Sequence, residues 1–205
     1  HGDRCCSTVE SISKLESKLE TVVTRDNVGL LVDSTTDWST GDAEKKPVVL
    51  LTNDLTDKVV AEAVAREAKL IVTYHPTPFS GLKKIVREDR SARVALSCIA
   101  NGISVYSPHT AMDCTVGGVN DWLAAGVLAA DFNPADWHDS PARSSVSPIR
   151  ESDAVPGAGE GRVVKLESGV SLADIITRVK AHLGLEYVQV SIADGVVSDS
   201  AATAA

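Results

Sequence analysis

Two histidines and one aspartate stand where a metal ion could be held. His75 lies in Tyr74-His75-Pro76, directly after the apolar run Leu70-Ile71-Val72-Thr73. His109 lies in Ser107-Pro108-His109-Thr110-Ala111-Met112-Asp113, directly after Ile103-Ser104-Val105-Tyr106. Each run reads as a buried strand, so each imidazole is delivered to a strand's carboxyl end, the edge at which open α/β sheets bind ligands. Two imidazoles and the Asp113 carboxylate meeting there make a site for a divalent cation; zinc, iron, manganese and nickel all accept such donors. His109 and Asp113 are four residues apart, which places them on one face if the segment is helical. Pro76 has no N–H and biases His75 toward extended backbone, carrying the chain away from the strand. Taken singly, His75 reads more simply as a hydrogen-bonded loop residue and Asp113 as a capping residue. The same arrangement at two strand ends is what favours a shared metal.

Other residues with chemical potential weigh less. Asp54, in Thr52-Asn53-Asp54-Leu55-Thr56, reads as a helix N-cap or as an acceptor that orients a ligand imidazole, with the cap preferred. Cys114 is read as a buried thiol in preference to a soft metal ligand. His1, His138 and His182 look incidental, His182 because a cation is favourable near a helix C-terminus. Gly157-Ala158-Gly159-Glu160-Gly161 does not match a dinucleotide loop, and neither a Walker A sequence nor a Gly-x-Ser-x-Gly elbow is present. Gly81-Leu82-Lys83-Lys84 is too short for a nucleic-acid patch and reads as a solvated loop.

The elements that must position these residues alternate. Residues 7–23 space Val9, Ile12, Leu15, Leu19 and Val22 as an amphipathic helix, Val28 to Val32 reads as a strand, and 33–46 as a surface loop. Strands follow at Val48 to Leu51, Leu70 to Thr73 and Ile103 to Tyr106, with helices over 56–69, 91–101 and 117–129. Strand-helix alternation with short connections is the pattern of a parallel sheet covered by helices. Residues 131–161, with Pro134, Pro141, Pro148 and Pro156, read as a linker or long surface loop. A strand (Arg162 to Leu166), a helix (Ser171 to Leu183) and a strand (Tyr187 to Ile192) come next, and 198–205 is a low-complexity tail.

Bulk composition bounds the rest. At 205 residues and 43% hydrophobic the chain can bury a core, and at 4% aromatic that core must be mostly aliphatic. A net charge of −8 argues against nucleic acid as the main partner. Cys5, Cys6, Cys98 and Cys114 form no Cys-x-x-Cys pair, which suits a reducing compartment, the cytoplasm, better than a disulfide framework. No apolar run is long enough for a membrane span. A first residue other than Met suggests a chain that is not a full translation product.

Five segments then fall in a recognisable order: Asp26-Asn27-Val28-Gly29-Leu30, Thr52-Asn53-Asp54-Leu55-Thr56, Tyr74-His75-Pro76, Ser107-Pro108-His109-Thr110 with Asp113, and Gly117-Gly118-Val119-Asn120-Asp121-Trp122-Leu123. Together they resemble the NIF-three-like family, also called GTP cyclohydrolase I type 2 homologs (YbgI-type), and its eukaryotic branch in particular. The likeness covers 7–130 and resumes at Gly161-Arg162, continuing to about Ile192. It implies a mixed, mostly parallel α/β fold of two similar halves, with 1–130 as the first half, 131–161 as linker or loop, 162–197 as the start of an incomplete second half and 198–205 as a frayed tail. It implies a two-metal site, with His75, His109 and Asp113 on ligand positions and Asp113 best placed to bridge. Activity as a metal-dependent hydrolase of a small phosphorylated or nucleotide-like substrate is one expectation. The alternative is a non-catalytic regulatory or scaffold protein that binds partners such as transcription factors. Homo-oligomers are expected in either case, in the cytoplasm with nucleus or mitochondrion as other destinations. Two departures stand out. Tyr74 occupies a position where many members carry His, and no His follows His182 nor Glu follows Glu186, although the family supplies a further His and Glu from a C-terminal segment.

Overall fold

The computed structural model describes residues 26–34 and 47–192. The helix expected over 7–23, most of the loop expected over 33–46, and the tail at 198–205 lie outside the described residues. The chain forms two compact units, His1–Met112 and Asp113–Ala205.

The first unit is built on a four-stranded sheet in the order β1-β4-β3-β2. The strands are β1 (Gly29–Val32), β2 (Val49–Thr52), β3 (Leu70–Thr73) and β4 (Ser104–Ser107). Strands β2, β3 and β4 are parallel, and β1 lies antiparallel against β4. The expected mixed, mostly parallel sheet is what forms. Two crossovers carry helices, α1 (Asp57–Ala65) and α2 (Arg90–Ala100). Their apolar faces pack on one side of the sheet, where Val60, Ala63, Val94 and Cys98 meet Ile71, Ile103 and Val105. With few aromatics to fill space, small residues such as Ala63 and Ala92, both wholly buried, let helix and sheet approach closely.

Both helices begin where a side chain satisfies a free backbone donor. The Thr56 hydroxyl accepts from the Val59 N–H, and the Asp89 carboxylate accepts from the Ala92 N–H. Thr56, not Asp54, is therefore the cap of α1. The helix expected to run through 69 stops at Ala65. Glu67 takes a left-handed conformation (φ 55°), and the Ala68 N–H reaches back to the Ala63 carbonyl, a terminating turn usually built on glycine.

In the second unit, α4 (Val119–Leu128) packs on α5 (Leu172–Leu183). Ser171 and Asp174 cap α5 reciprocally. His182, expected to be an incidental helix-end cation, instead lays its ring 4.6 Å from that of Trp122 and over Gly126, where an added Cβ would sit 2.5 Å from the imidazole. Residues 131–161, read as linker or surface loop, are folded. They hold two 3-10 turns (Trp137–Asp139 and Pro141–Ser145) and the short strands β5 (Val146–Ser147), β6 (Arg150–Glu151) and β7 (Gly159–Glu160). Average composition concealed the anchors: Trp137 and Val146 pack with Ala124 and Ala125, and Phe132 leans on the Trp137 ring at 5.1 Å. The strand expected at Arg162 to Leu166 shrinks to β8 (Val163–Val164), paired with β5. No strand forms at Tyr187 to Ile192, because among the described residues this segment has no neighbour to pair with; Tyr187 is 79% exposed.

Two motifs quoted for the family likeness meet inside this unit. Arg162, from Gly161-Arg162, forms a buried ion pair with Asp121, from the Gly117-to-Leu123 segment. The guanidinium also donates to the carbonyls of Cys114, Thr115, Gly159 and Gly161, while Asp121 accepts from the Gly117 N–H.

Candidate metal centre and adjoining groove

Sheet register sets the histidines side by side. Leu70 pairs with Ser104 in the parallel ladder of β3 and β4, and the same offset carried past the strand ends puts His75 level with His109. Their ring centroids are 6.1 Å apart at 68°. Tyr74 touches both edge-on, at 5.1 and 5.7 Å, and the Ser107 hydroxyl donates to the Tyr74 carbonyl, tying the two strand ends together.

Register also supplies each imidazole with a carboxylate. The offset between β2 and β3, which pairs Val49 with Leu70, puts Asp54 level with His75, and Asp54 Oδ1 lies 2.9 Å from His75 Nδ1. Asp54 thus bonds the His75 imidazole and leaves the cap of α1 to Thr56. Antiparallel pairing of Gly29 with Ser107 extends to place Asp26 opposite Thr110, and Asp26 Oδ2 lies 2.5 Å from His109 Nδ1. The Thr110 hydroxyl and N–H donate to the same oxygen, and the Asn27 N–H donates to Oδ1. Burial works to raise the Asp26 pKa, but the bonds from Thr110, Asn27 and His109 outweigh it and hold the carboxyl below its ordinary value. An ionised carboxylate only accepts, so the bond to Asp26 is donated by His109 Nδ1–H, and the ring is oriented with Nε2 turned away from Asp26.

The two clamps differ in exposure. His109 and Asp26 side chains are 18% and 13% exposed; those of His75 and Asp54 are 54% and 70%. His109 also has φ 32°, a strained value for a residue with a Cβ, at the junction of β4 with α3 (His109–Cys114). Asp26 was not singled out as a site residue from sequence. Its signal was present in the Asp26-Asn27 pair opening β1, but its partner follows only from knowing that β1 runs antiparallel beside β4.

The separation of the two imidazoles is one that a shared metal ion would tolerate. Metal–nitrogen bonds of about 2.0–2.1 Å would keep the centroids of two imidazoles on one ion roughly 5–6.5 Å apart, an interval that includes the observed separation. Each ring has a carboxylate on Nδ1, the outer support usual for ligating histidines. Asp113 stands one turn beyond His109 on α3, half-buried, and its main-chain carbonyl accepts from the Asn120 amide. The boundary between the compact units falls between Met112 and Asp113. Among the described residues, no three His, Cys, Asp or Glu side chains come together as a metal-holding group.

Beside the pair lies an open groove of about 640 Å³, lined by Asp26, Val28, Leu31, Phe79 and Gly81 among others. The Phe79 ring meets His109 edge-on at 6.2 Å, so the groove adjoins the imidazoles. The Asn27 amide donates to the carbonyls of Pro78 and Phe79, pinning that stretch of the groove wall to the residues that lead into β1.

The sheet, with a carboxylate-clamped imidazole pair at the ends of β3 and β4, is that of a mixed α/β protein. The chain belongs to the Duf34/NIF3 (NGG1p interacting factor 3) family, whose model it matches over residues 5–202. It is 40% identical over 175 residues to a NIF3 homolog of Schizosaccharomyces pombe, covering 84% of this chain and 58% of that protein. It is 40% identical over 185 residues to the NGG1-interacting factor 3 of Saccharomyces cerevisiae, covering 89% and 62%. The chain thus spans about six-tenths of these relatives. Reduced HcgD from Methanocaldococcus jannaschii shares the fold at TM-score 0.57 and 20% identity, over 84% of this chain and 58% of that one. Protein ybgI, of unknown function, does so at TM-score 0.54 and 17% identity, over 86% and 60%. Among the described residues, no helix is long and apolar enough to cross a membrane.

Proposed function

We propose that the chain carries part of a divalent-metal centre, with His75, His109 and Asp113 as ligands, in a protein that is or derives from a metal-dependent hydrolase of small phosphorylated or nucleotide-like substrates. The observation that supports this reading is the pair of adjacent imidazoles, each with its Nδ1 bonded to a carboxylate. Two bound ions would supply a water of lowered pKa and a clamp on substrate oxygens. The chain's own part is to hold His109 rigidly through Asp26, to hold His75 through the more exposed Asp54, and to offer Asp113 as a bridging carboxylate. The full ligand set and a homo-oligomeric assembly belong to this proposal. So does a reducing, cytoplasmic setting, which the buried Cys98 thiol favours.

The test is elemental analysis of protein purified after exposure to manganese or zinc. Bound metal should fall sharply in the double variant His75→Ala/Asp113→Ala. An unchanged metal content would overturn the assignment. A partner-binding role is favoured by one finding: the yeast relative is named as a factor that interacts with NGG1. A hydrolase screen of metal-loaded protein separates the readings, since inactivity across phosphate esters at full occupancy would point to the non-catalytic one.

A further inference from the structure

The loop from Ser80 to Lys84 continues the groove wall into two adjacent cations. Ser80, Gly81, Lys83 and Lys84 are exposed. Among the described residues, no polar group of 80–84 takes part in a hydrogen bond or ion pair. In a chain of net charge −8, two neighbouring lysines with no acidic partner form a local positive field beside an otherwise neutral-to-acidic site.

Gly81 adds a second, independent observation. A Cβ built there meets nothing within 4 Å, and its φ lies outside the range that strains other residues. Neither packing nor backbone conformation in this fold requires glycine at 81. Close approach of a ligand to the main chain does give glycine a use, because a bare Cα lets an anion reach the backbone N–H groups. The third observation is Phe79, a groove-lining ring that is 61% exposed and lies 6.2 Å from the His109 ring, nearly perpendicular to it.

We propose that this groove binds an aromatic or heteroaromatic phosphate ester, its ring against Phe79 and its phosphate on the main-chain N–H groups and lysines of residues 80–84. The Asp26 carboxylate also lines the groove, but its oxygens are taken by His109, Thr110 and Asn27, so it does not compete for the lysines. A phosphate held at the loop would serve as a remote handle, with binding energy from the non-reacting end used to place the other end. Use of the groove in catalysis rests on the metal reading given above; binding itself does not, so the two can fail separately.

The experiment is an NMR titration of the isotope-labelled chain in excess chelator, with phenyl phosphate, phenol and inorganic phosphate as probes. Phenyl phosphate is expected to shift the amides of 79–84 saturably and to bind more tightly than either fragment. Lys83→Gln/Lys84→Gln should weaken it about tenfold, the scale of one lost charge-assisted contact, with unchanged melting. Gly81→Ala should also weaken it without lowering the melting temperature. His75→Ala should leave phenyl phosphate binding intact, even if it abolishes metal uptake. The proposal is overturned by the absence of saturable shifts at millimolar phenyl phosphate, by shifts confined to another surface, or by wild-type affinity in the lysine variant. Equal affinity for inorganic phosphate and phenyl phosphate would overturn the ring subsite.

Discussion

Replacing Arg162 with Met should do more damage to this chain than any surface change. Arg162 is 3% exposed and Asp121 fully buried, so the pair has no water to fall back on. Met fills much of the arginine's volume, so the effect is electrostatic and not a cavity. It strands the Asp121 charge and removes the donor to four carbonyls, those of Cys114, Thr115, Gly159 and Gly161. Breaking a buried pair from one side costs about 3–5 kcal/mol. Against a typical stability of roughly 5–15 kcal/mol, that brings the second unit close to unfolding at room temperature. Urea unfolding followed by tryptophan fluorescence is the assay, since Trp137 is buried in this unit at 1% exposure. A Trp38→Phe background removes the indole that precedes this unit in the sequence. Asp121→Asn/Arg162→Met should be more stable than Arg162→Met alone, because the second substitution removes the stranded charge. A single variant within about 1 kcal/mol of its parent, or a double variant less stable than the single, would refute an energetically coupled pair.

Three other outcomes follow from the geometry. Asp26→Ala should free His109 from its Nδ1–H form, seen by long-range nitrogen-proton NMR, while His75, held by Asp54, keeps its signals; metal affinity should drop about 10–100-fold, the usual cost of losing an orienting carboxylate. Burial pushes the Cys98 thiol up to about 11, so mass mapping should find it unlabelled by a thiol reagent at pH 8 in the folded protein and labelled on unfolding; rapid labelling of the native state would contradict its burial. Bonds from the Ser171 hydroxyl and N–H hold Asp174 below its ordinary value, so its support of α5 is present above the unfolded-state pKa of about 3.9 and is lost as pH falls through the lower native value. Hydrogen exchange in the first turn of α5 should rise over that interval, and Asp174→Asn should flatten the rise.

Local pattern made the first unit legible. The apolar runs at 70–73 and 103–106 contain strands within a residue of the expected bounds, because a buried parallel strand is a short apolar run with little else to be. Residues 131–161 were not legible for the opposite reason. A few buried side chains, Trp137 above all, organise a segment whose mean composition is that of a loop. The segment at 187–192 has the composition of a strand but, among the described residues, no edge to join, and a strand exists only as a partner in a ladder. Motifs also mislead about role. The segments that carry the family likeness are not all parts of a site: Asp121 and Arg162 are buried against each other and hold the second unit together, while His75, His109, Asp26 and Asp54 gather at the strand ends.

The candidate site shows why residue types alone pointed to half of it. Imidazoles announce themselves, since few other side chains serve the same chemistry, and both were found from their place after strands. Their carboxylates are common residues with common structural uses, and Asp54 was read as a cap for that reason. What distinguishes Asp54 and Asp26 is register. One parallel offset pairs Asp54 with His75, another aligns His75 with His109, and one antiparallel pairing sets Asp26 against Thr110 beside His109. Four residues far apart in sequence are thus brought together by the order β1-β4-β3-β2, and any other order would break at least one pair. The position of β1 carries particular weight. As an antiparallel edge strand it brings its amino end, and so Asp26, to the carboxyl ends of β3 and β4. A parallel β1 would leave that carboxylate at the opposite edge of the sheet and His109 without its partner.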